Sequence, residues 1–375
     1  MLIDFAPSAQ SSVGIEWELA LVDLTTGELV PAAAELLDAC GGGEERPIRK
    51  EYLQNMIELV SGVHTRVADA VTDLAGNFAV VKDAAAGMGV GLIGSGTHPF
   101  SRAAAQRRFE GPRYDVVADR NQYWGHQMAI CGTHVHIGVD DRDKALPITN
   151  GLARFYPYLL ALSCASPFWE GEDSGYASQR TMLFQQLSTN GLPYPMRKWT
   201  EFEEYAEELF ASGMISTASE IRWDVRPSPK FGTVENRTAD SVPTFAELGC
   251  IAALTQCLAE YVSRSYAHDH SYESLSPWLV RENKWRAARY GMDASVITPN
   301  PARREVPLRE GLAQWLDRLA PISRDLGCEA ELAFAATIAE RGASYQRQRA
   351  AGGTEQALQL LLAETGQDSP FSSDG

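Results

Sequence analysis

Between Val13 and Leu21 the chain alternates. Val13, Ile15, Trp17, Leu19 and Leu21 are apolar, while Gly14, Glu16, Glu18 and Ala20 fill the positions between them. A period of two is the pattern of a strand with one buried face. Such a strand belongs in a sheet with a hydrophobic layer on one side. Its other face carries Glu16 and Glu18 about 6.6 Å apart, the spacing of residues two apart along a strand. Two carboxylates that close repel unless a cation or a proton lies between them. A hard divalent cation held by oxygen ligands meets that condition. A half-exposed strand with solvated glutamates is the plainer alternative on this stretch alone.

Three further segments repeat this logic. In Met128–Val139, His134 and His136 share one face, and Thr133, Val135 and Ile137 share the other. His-x-His is a common metal-ligand spacing; a hydrogen-bonded pair in a core is the alternative. Glu58 stands in the apolar run Met56-Ile57-Glu58-Leu59-Val60, where an acid needs a partner. Glu51, seven residues earlier, reads on spacing alone as a surface glutamate. Arg222, Asp224 and Arg226 are expected to face together on Ile221–Arg226, as are Glu235 and Arg237 after the Pro227-Ser-Pro229 turn. Guanidinium groups suit bidentate binding of carboxylate or phosphate; a structural salt-bridge ladder is the alternative. Several acids, one or two histidines and several arginines on one sheet face exceed what a structural sheet needs, since unpaired buried charge is costly. Carboxylates holding Mg²⁺, with arginines on phosphate, describe phosphoryl transfer.

The phosphate-binding loops of common nucleotide folds do not supply that site. No G-x-x-x-x-G-K-[ST] motif occurs in the chain. Gly89-Val-Gly91-Leu-Ile-Gly94 matches G-x-G-x-x-G in form, but it follows a helical pattern and runs into Thr97-His98-Pro99, so it reads as strand and turn. A net charge of −16, from 33 basic and 49 acidic residues, opposes binding to nucleic acid. ATP is still accessible where arginines and a divalent cation neutralise its phosphates. The six cysteines form no CxxC pair and read as reduced core residues. No apolar run of about 20 residues is evident for a membrane span, and the first residues lack signal-peptide character. A cytoplasmic protein without a membrane partner is expected.

The expected architecture is α+β in one catalytic domain over 1–375, sheet-rich in 1–240 and mostly helical in 241–366. Helices are expected at 67–88, 243–266, 278–293, 305–320, 328–349 and 354–365, and a helical stripe through Leu152, Phe155, Leu159 and Leu162. Thr354 is expected to cap the last helix, with Gly366 just past its end. The tail, 368–375, is expected to be disordered.

The motifs GIEWE (14–18), Glu51 with QNMIELVSGVH (54–64), GTHPF (96–100) and CGTHVHIGV (131–139) resemble those of the glutamate–cysteine ligase family, in its shorter carboxylate–amine ligase branch. ASQRTMLFQQL (177–187), RWDVRPSPKFGTVENRTAD (222–240) and ENKWRAARYGMDA (282–294) extend the resemblance in order. It implies a glutamine-synthetase-like antiparallel sheet forming a funnel, covered by helices, with ATP and Mg²⁺ at its base. It implies phosphorylation of a substrate carboxylate, as on L-glutamate, and displacement of phosphate by an amine, as of L-cysteine. Carried over by position, Glu16, Glu18, Glu51, Glu58, His134 and Glu235 are the implied metal shell. Arg237 and Arg226 are implied on the nucleotide or acyl phosphate, and Arg180 and Arg222 on the acid substrate. His134 is favoured over His136 as the ligand. Asn236 departs from the more usual apolar residue but faces away from Glu235. The acceptor amine and the oligomeric state stay open, a homodimer included.

A zinc hydrolase is the main rival, with His134/His136 and His268/His270 as ligand pairs and Glu58 as base. His268-Asp-His270 sits in a polar stretch between two helices, and four glutamates suit Mg²⁺ better than Zn²⁺. A binding protein without catalysis is a third reading, disfavoured by the charge density.

Overall fold

The computed structural model describes residues 3–44, 46–269 and 274–371. Seven strands form one antiparallel sheet: β1 (Val13–Asp23), β2 (Ile48–Lys50), β3 (Met56–Val60), β4 (Val90–Ile93), β5 (Gly132–Gly138), β6 (Val225–Ser228) and β7 (Thr233–Asp240). The order is β6–β7–β5–β1–β3–β2, with β4 pairing the far half of β1 at Ala20–Asp23. β1 is the long central strand because its apolar positions all find burial: Val13, Ile15, Trp17, Leu19 and Leu21 are almost fully enclosed.

Helices cover that face, among them α1 (Val67–Gly87), α2 (Arg142–Arg154), α3 (Tyr156–Ser163) and α5 (Phe245–Asp269). A short helix, α4 (Gln179–Phe184), precedes α5 in the chain. Trp17 is the hub. Its ring lies 5.3 Å from Phe78 of α1 and 5.8 Å from Phe245 of α5, and its Nε1 donates to the Val242 carbonyl at 3.0 Å. The opposite face is closed at one end only. There Ala20 and Val22 meet Leu53, Met56, Ile93, Leu358 and Leu361 in a second, smaller core. The near half of the face, with Glu16, Glu18, His134 and His136, is left to polar groups.

Several expected boundaries shift for identifiable reasons. The stripe from Leu152 to Leu162 is two helices broken at Phe155, because Pro157 in the first turn of α3 has no N–H to continue α2. The expected helix over 328–349 divides into Glu329–Arg341 and Ser344–Ala350 at Gly342, whose φ is 105°. The helix expected at 305–320 runs instead over Leu308–Leu326. Gly353, not Thr354, precedes the last helix, and Thr354 is its first residue.

Among the described residues one helix, at Phe245–His268, is long and apolar enough to cross a bilayer, contrary to the reading that no run approaches that length. Its apolarity has another cause, since 78% of its most apolar window is buried against the sheet and other helices. The tail is ordered where it is described. The carbonyls of Gln367 and Asp368 accept hydrogen bonds from Phe245 N and Ala246 N at 3.0 and 2.8 Å, filling donors that the start of α5 leaves open. Phe371 packs 6.1 Å from Phe334 and under Arg341 at 4.3 Å. Residues 372–375 lie outside the described set.

Trp17→Ala is expected to lower unfolding free energy by about 3–5 kcal/mol, read by denaturant titration. A loss below about 1 kcal/mol would show that Trp17 does not join β1 to α1 and α5.

Candidate active site

Strand register brings the singled-out residues into one patch. Glu16 of β1 lies opposite His134 of β5, and Glu18 opposite Glu58 of β3. His136 lies opposite Glu235 of β7, and Glu235 opposite Arg226 of β6. Three overlapping groups have ligand atoms within 4.8 Å of one another: Glu16–Glu58–His134, Glu16–His136–Glu235 and Glu18–Glu51–Glu58. Glu51, which spacing alone made a surface residue, thus lies within ligand distance of Glu18 and Glu58. His136, passed over in favour of His134, is as well placed as His134. The register predicts this, because a period of two puts both histidines beside Glu16.

The paired glutamates of β1 differ in state. Burial works against charge on Glu16, but hydrogen bonds from His134 and His136 hold its carboxyl well below the usual range. The His134 Nδ1–Glu16 Oε2 distance is 3.1 Å and the His136 Nε2–Glu16 Oε1 distance is 3.5 Å. Glu18 is pushed up to about 8 by burial and by the nearby Glu51, against the pull of Arg180 and Arg237. Glu58 is raised for the same reasons, burial first and then Glu16, Glu51 and Glu18. The like-charge repulsion is thus eased by a tendency to hold protons at Glu18 and Glu58 and by hydrogen bonds on the β5 side.

His134 is lowered to about 4 by burial and then by Arg237, so it is a neutral imidazole with a buried Nε2 that has no hydrogen-bond partner. His136 is raised: burial opposes its charge, but Glu235 and Glu16 outweigh it. Its Nδ1 lies 2.9 Å from Thr233 Oγ1.

Glu235 is almost fully buried yet held low, because the guanidiniums of Arg226 and Arg237 and the ring of His136 overcome the cost of burial. Arg226 Nε donates to Glu235 Oε2 at 2.7 Å, and its Nη1 donates to the carbonyls of Ser219 and Ile221, both at 2.9 Å. Arg226 thus orients Glu235. Arg237 Nη1 donates to Glu235 Oε1, and its Nε is buried without a partner.

Arg237 owes its direction to a break in the ladder. Pairing of β7 with β5 shifts between Asn236 and Ala239, and Arg237 N donates to Asp224 O at 2.8 Å. Such irregularities re-aim side chains. Asn236 turns the other way and donates to Thr255 Oγ1 at 3.0 Å in the helical layer, as expected.

The expected common face of Arg222, Asp224 and Arg226 does not form. Asp224 separates Arg222–Trp223 from β6, is buried, and pairs with Lys284 Nζ at 2.7 Å. Arg222 sits in a separate two-stranded parallel ladder with Asn190, outside the large sheet. The reason is the demand of buried Lys284 for a counter-charge, which outranks alternation.

Arg180 arrives from outside the sheet, on α4. It is 3% exposed, with Nη1 3.4 Å from the Arg237 carbonyl and its Nε unpartnered. Its guanidinium lies over the Phe184 ring at 5.6 Å, and that of Arg237 over the same ring at 5.9 Å. Gly132 makes the approach feasible, since a Cβ there would meet Arg180 Nη2 at 2.2 Å. Phe184 carried no signal in the sequence as the shared support of both arginines.

The family described as glutamate-cysteine ligase family 2 (GCS2) matches residues 12–360. The chain belongs to that family. A protein of Leifsonia xyli subsp. xyli named "Putative glutamate--cysteine ligase 2" is 50% identical over 352 residues, covering 93% of each chain. One of the same name from Micrococcus luteus is 49% identical over 355 residues, covering 92% of this chain and 89% of its own. Among solved structures, the glutamate–cysteine ligase of Francisella tularensis in complex with AMP superimposes with a TM-score of 0.70 at 13% identity, over 98% of this chain and 91% of that one. A bifunctional glutathione synthetase from Pasteurella multocida gives 0.65 at 15% identity, over 95% of this chain and 52% of the longer one. The glutamine-synthetase-like sheet expected for the family is the fold found here.

The raised carboxyls set a pH dependence. Glu18 binds its proton more tightly folded than unfolded, so the stability it contributes is complete below the ordinary value of 4.5 and is lost as pH rises through about 8. Glu58 acts in the same direction, while Glu16 and Glu235 have their windows below the ordinary value. The melting temperature of the cation-free protein should therefore fall between about pH 5.5 and about pH 8.5, and Mg²⁺ should offset most of the loss at the upper end. A profile identical with and without Mg²⁺ would show that these carboxyls do not hold the cation.

Proposed function

We propose that this protein is an ATP-dependent carboxylate–amine ligase of the glutamate–cysteine type, using Mg²⁺ and working in the cytoplasm. The supporting observation is that one half-face of the sheet and its edge join five glutamates and two histidines, in overlapping triads, to two buried guanidiniums with unpartnered Nε atoms.

Glu16, Glu18, Glu58, Glu235, His134 and His136 are the residues that would hold the cation, with Glu51 at the edge. A donor set rich in carboxylate fits Mg²⁺. The metal, when bound, neutralises charge on the polyphosphate and on the phosphoryl group in transfer. Arg226 and Arg237 hold Glu235 ionised, so it is a ready ligand. The free Nε of Arg237 is a donor for the phosphoryl oxygens, and Arg180 is the donor for the acid substrate, taken as L-glutamate. Arg222, outside the sheet, is left without a role. Phe184, packed in an apolar cluster with Leu183, Ile130 and Met128, covers the two arginines and helps exclude water from them.

The acid's carboxylate oxygen forms a bond to the γ-phosphorus as the bond to ADP breaks. The acceptor amine, taken as that of L-cysteine, then bonds to the acyl carbon; phosphate leaves and the nitrogen loses a proton. A carboxylate is a poor electrophile, and the acyl phosphate gives it a leaving group.

The zinc reading has little left to stand on. His268 is exposed in the last turn of α5, and His270 lies outside the described residues.

The test is phosphate release from ATP and Mg²⁺ with L-glutamate, with and without L-cysteine, and mass spectrometry of the product. A γ-glutamylcysteine peak is the expected result. Absence of ATP turnover with any acid–amine pair would overturn the reading. Glu16→Gln and Glu235→Gln are each expected to lower turnover by about a hundredfold or more with an unchanged circular dichroism spectrum. Wild-type turnover in either would remove that residue from the metal shell. Arg180→Ala should mainly raise KM for the acid; an effect confined to KM for ATP would reassign it to the nucleotide.

A further inference from the structure

Asp240, at the last position of β7, is fully buried and lies outside the cation-binding groups. Among the described residues no basic side chain forms an ion pair with it. Three donors converge on it instead. Oδ2 accepts from Ala165 N at 2.9 Å and from Ser166 Oγ at 2.7 Å, and Oδ1 accepts from Ser178 Oγ at 2.7 Å. Arg180 attracts this carboxyl from beyond ion-pair distance, but burial outweighs that pull, and a buried acid held by neutral donors is an expensive way to make a structural turn. Its hydrogen bonds show what it holds.

Ser178 is the N-cap of α4 and accepts from Thr181 N at 3.2 Å. Ser166 Oγ accepts from Arg180 N at 3.1 Å, and Ser166 O from Gln179 N at 2.9 Å. Both serines are fully buried. Asp240 therefore grips the first turn of α4 at two points, one of which is the backbone of Arg180 itself. Gly96 permits the grip, because a Cβ there would lie 2.6 Å from Asp240 Cγ and 2.8 Å from Ser166 Cβ.

A six-residue helix has little stability of its own. Fixing its first turn decides where the Arg180 side chain starts, and so where its unpartnered Nε is presented. We infer that Asp240 is a positioning residue for the acid-substrate site, acting through Ser166 and Ser178 to fix the helix that carries Arg180. The inference rests on the ligase reading for the identity of the substrate but not for the geometry.

Asp240→Ala should raise KM for L-glutamate by about ten- to a hundredfold, with KM for ATP within about twofold of wild type. Asp240→Asn keeps an acceptor for Ala165 N and Ser166 and can donate to Ser178, so its KM should be intermediate. In an Arg180→Ala background, Asp240→Ala should add less than about twofold, because both changes remove the same contact. An equal effect in both backgrounds, or an equal rise in KM for ATP, would overturn the inference.

If Asp240→Ala does not fold, Ser166→Ala tests the same link, since it removes the acceptor of Arg180 N and leaves the carboxylate; an unchanged KM for the acid would overturn the inference. A crystal structure of Asp240→Asn or Ser166→Ala separates this inference from the ligase reading. Arg180 shifted relative to the Arg237 carbonyl supports the inference even if no acid is turned over. Arg180 unmoved in both, with wild-type KM values, refutes it while leaving the ligase intact.

Discussion

Crowding of carboxylates on half a sheet face is the constraint around which the rest of this protein is arranged. Glu16, Glu18, Glu58 and Glu235 are drawn together by strand register, and each burial of negative charge has to be met locally. It is met in three ways. Two histidines hydrogen-bond to Glu16, two guanidiniums flank Glu235, and burial with neighbouring acids raises Glu18 and Glu58 towards the protonated form. Protons are the compensation most easily exchanged for a cation. In the proposed ligase, such a site suits a divalent metal on one side and a phosphoryl group on the other.

Such a patch requires a rigid base, and the base is the helical layer behind the sheet. Trp17 lies between Glu16 and Glu18 in sequence and points the opposite way, into Phe78 and Phe245. Each carboxylate position on β1 is therefore fixed by the packing of its neighbours. The second core at Ala20 and Val22 closes the far end of the polar face, so the charged patch has a defined boundary and its local dielectric is low. In the same way, the described part of the C-terminal tail completes the start of α5, the helix that supports Trp17.

The arginines come from three different kinds of structure, which gives each its role. Arg226, on a regular strand, is spent on Glu235 and two carbonyls. Arg237, at a ladder irregularity, touches Glu235 and keeps an unpartnered Nε. Arg180 depends on a short helix held at its start by Asp240. Both guanidiniums lie over Phe184, so one ring supports the two arginines.

The residues of the patch were legible in the sequence wherever structure is periodic. Alternation alone placed Glu16 and Glu18 opposite Ile15, Trp17 and Leu19, paired His134 with His136, and marked Glu58 as an acid needing a partner. These are local facts, since a strand with one buried face dictates where every second side chain points. The tertiary structure decided what alternation cannot express. Arg222 and Asp224 left the expected face because buried Lys284, on a helix distant in the chain, required Asp224 as its counter-charge. His136 and Glu51 came beside the other acids because neighbouring segments set which ligand atoms converge. The protonation of Glu18, and the place of Arg180 above Gly132, depend on groups far apart in the chain. Facing is a property of one strand; charge balance and convergence are properties of many segments at once, and only folding brings those together.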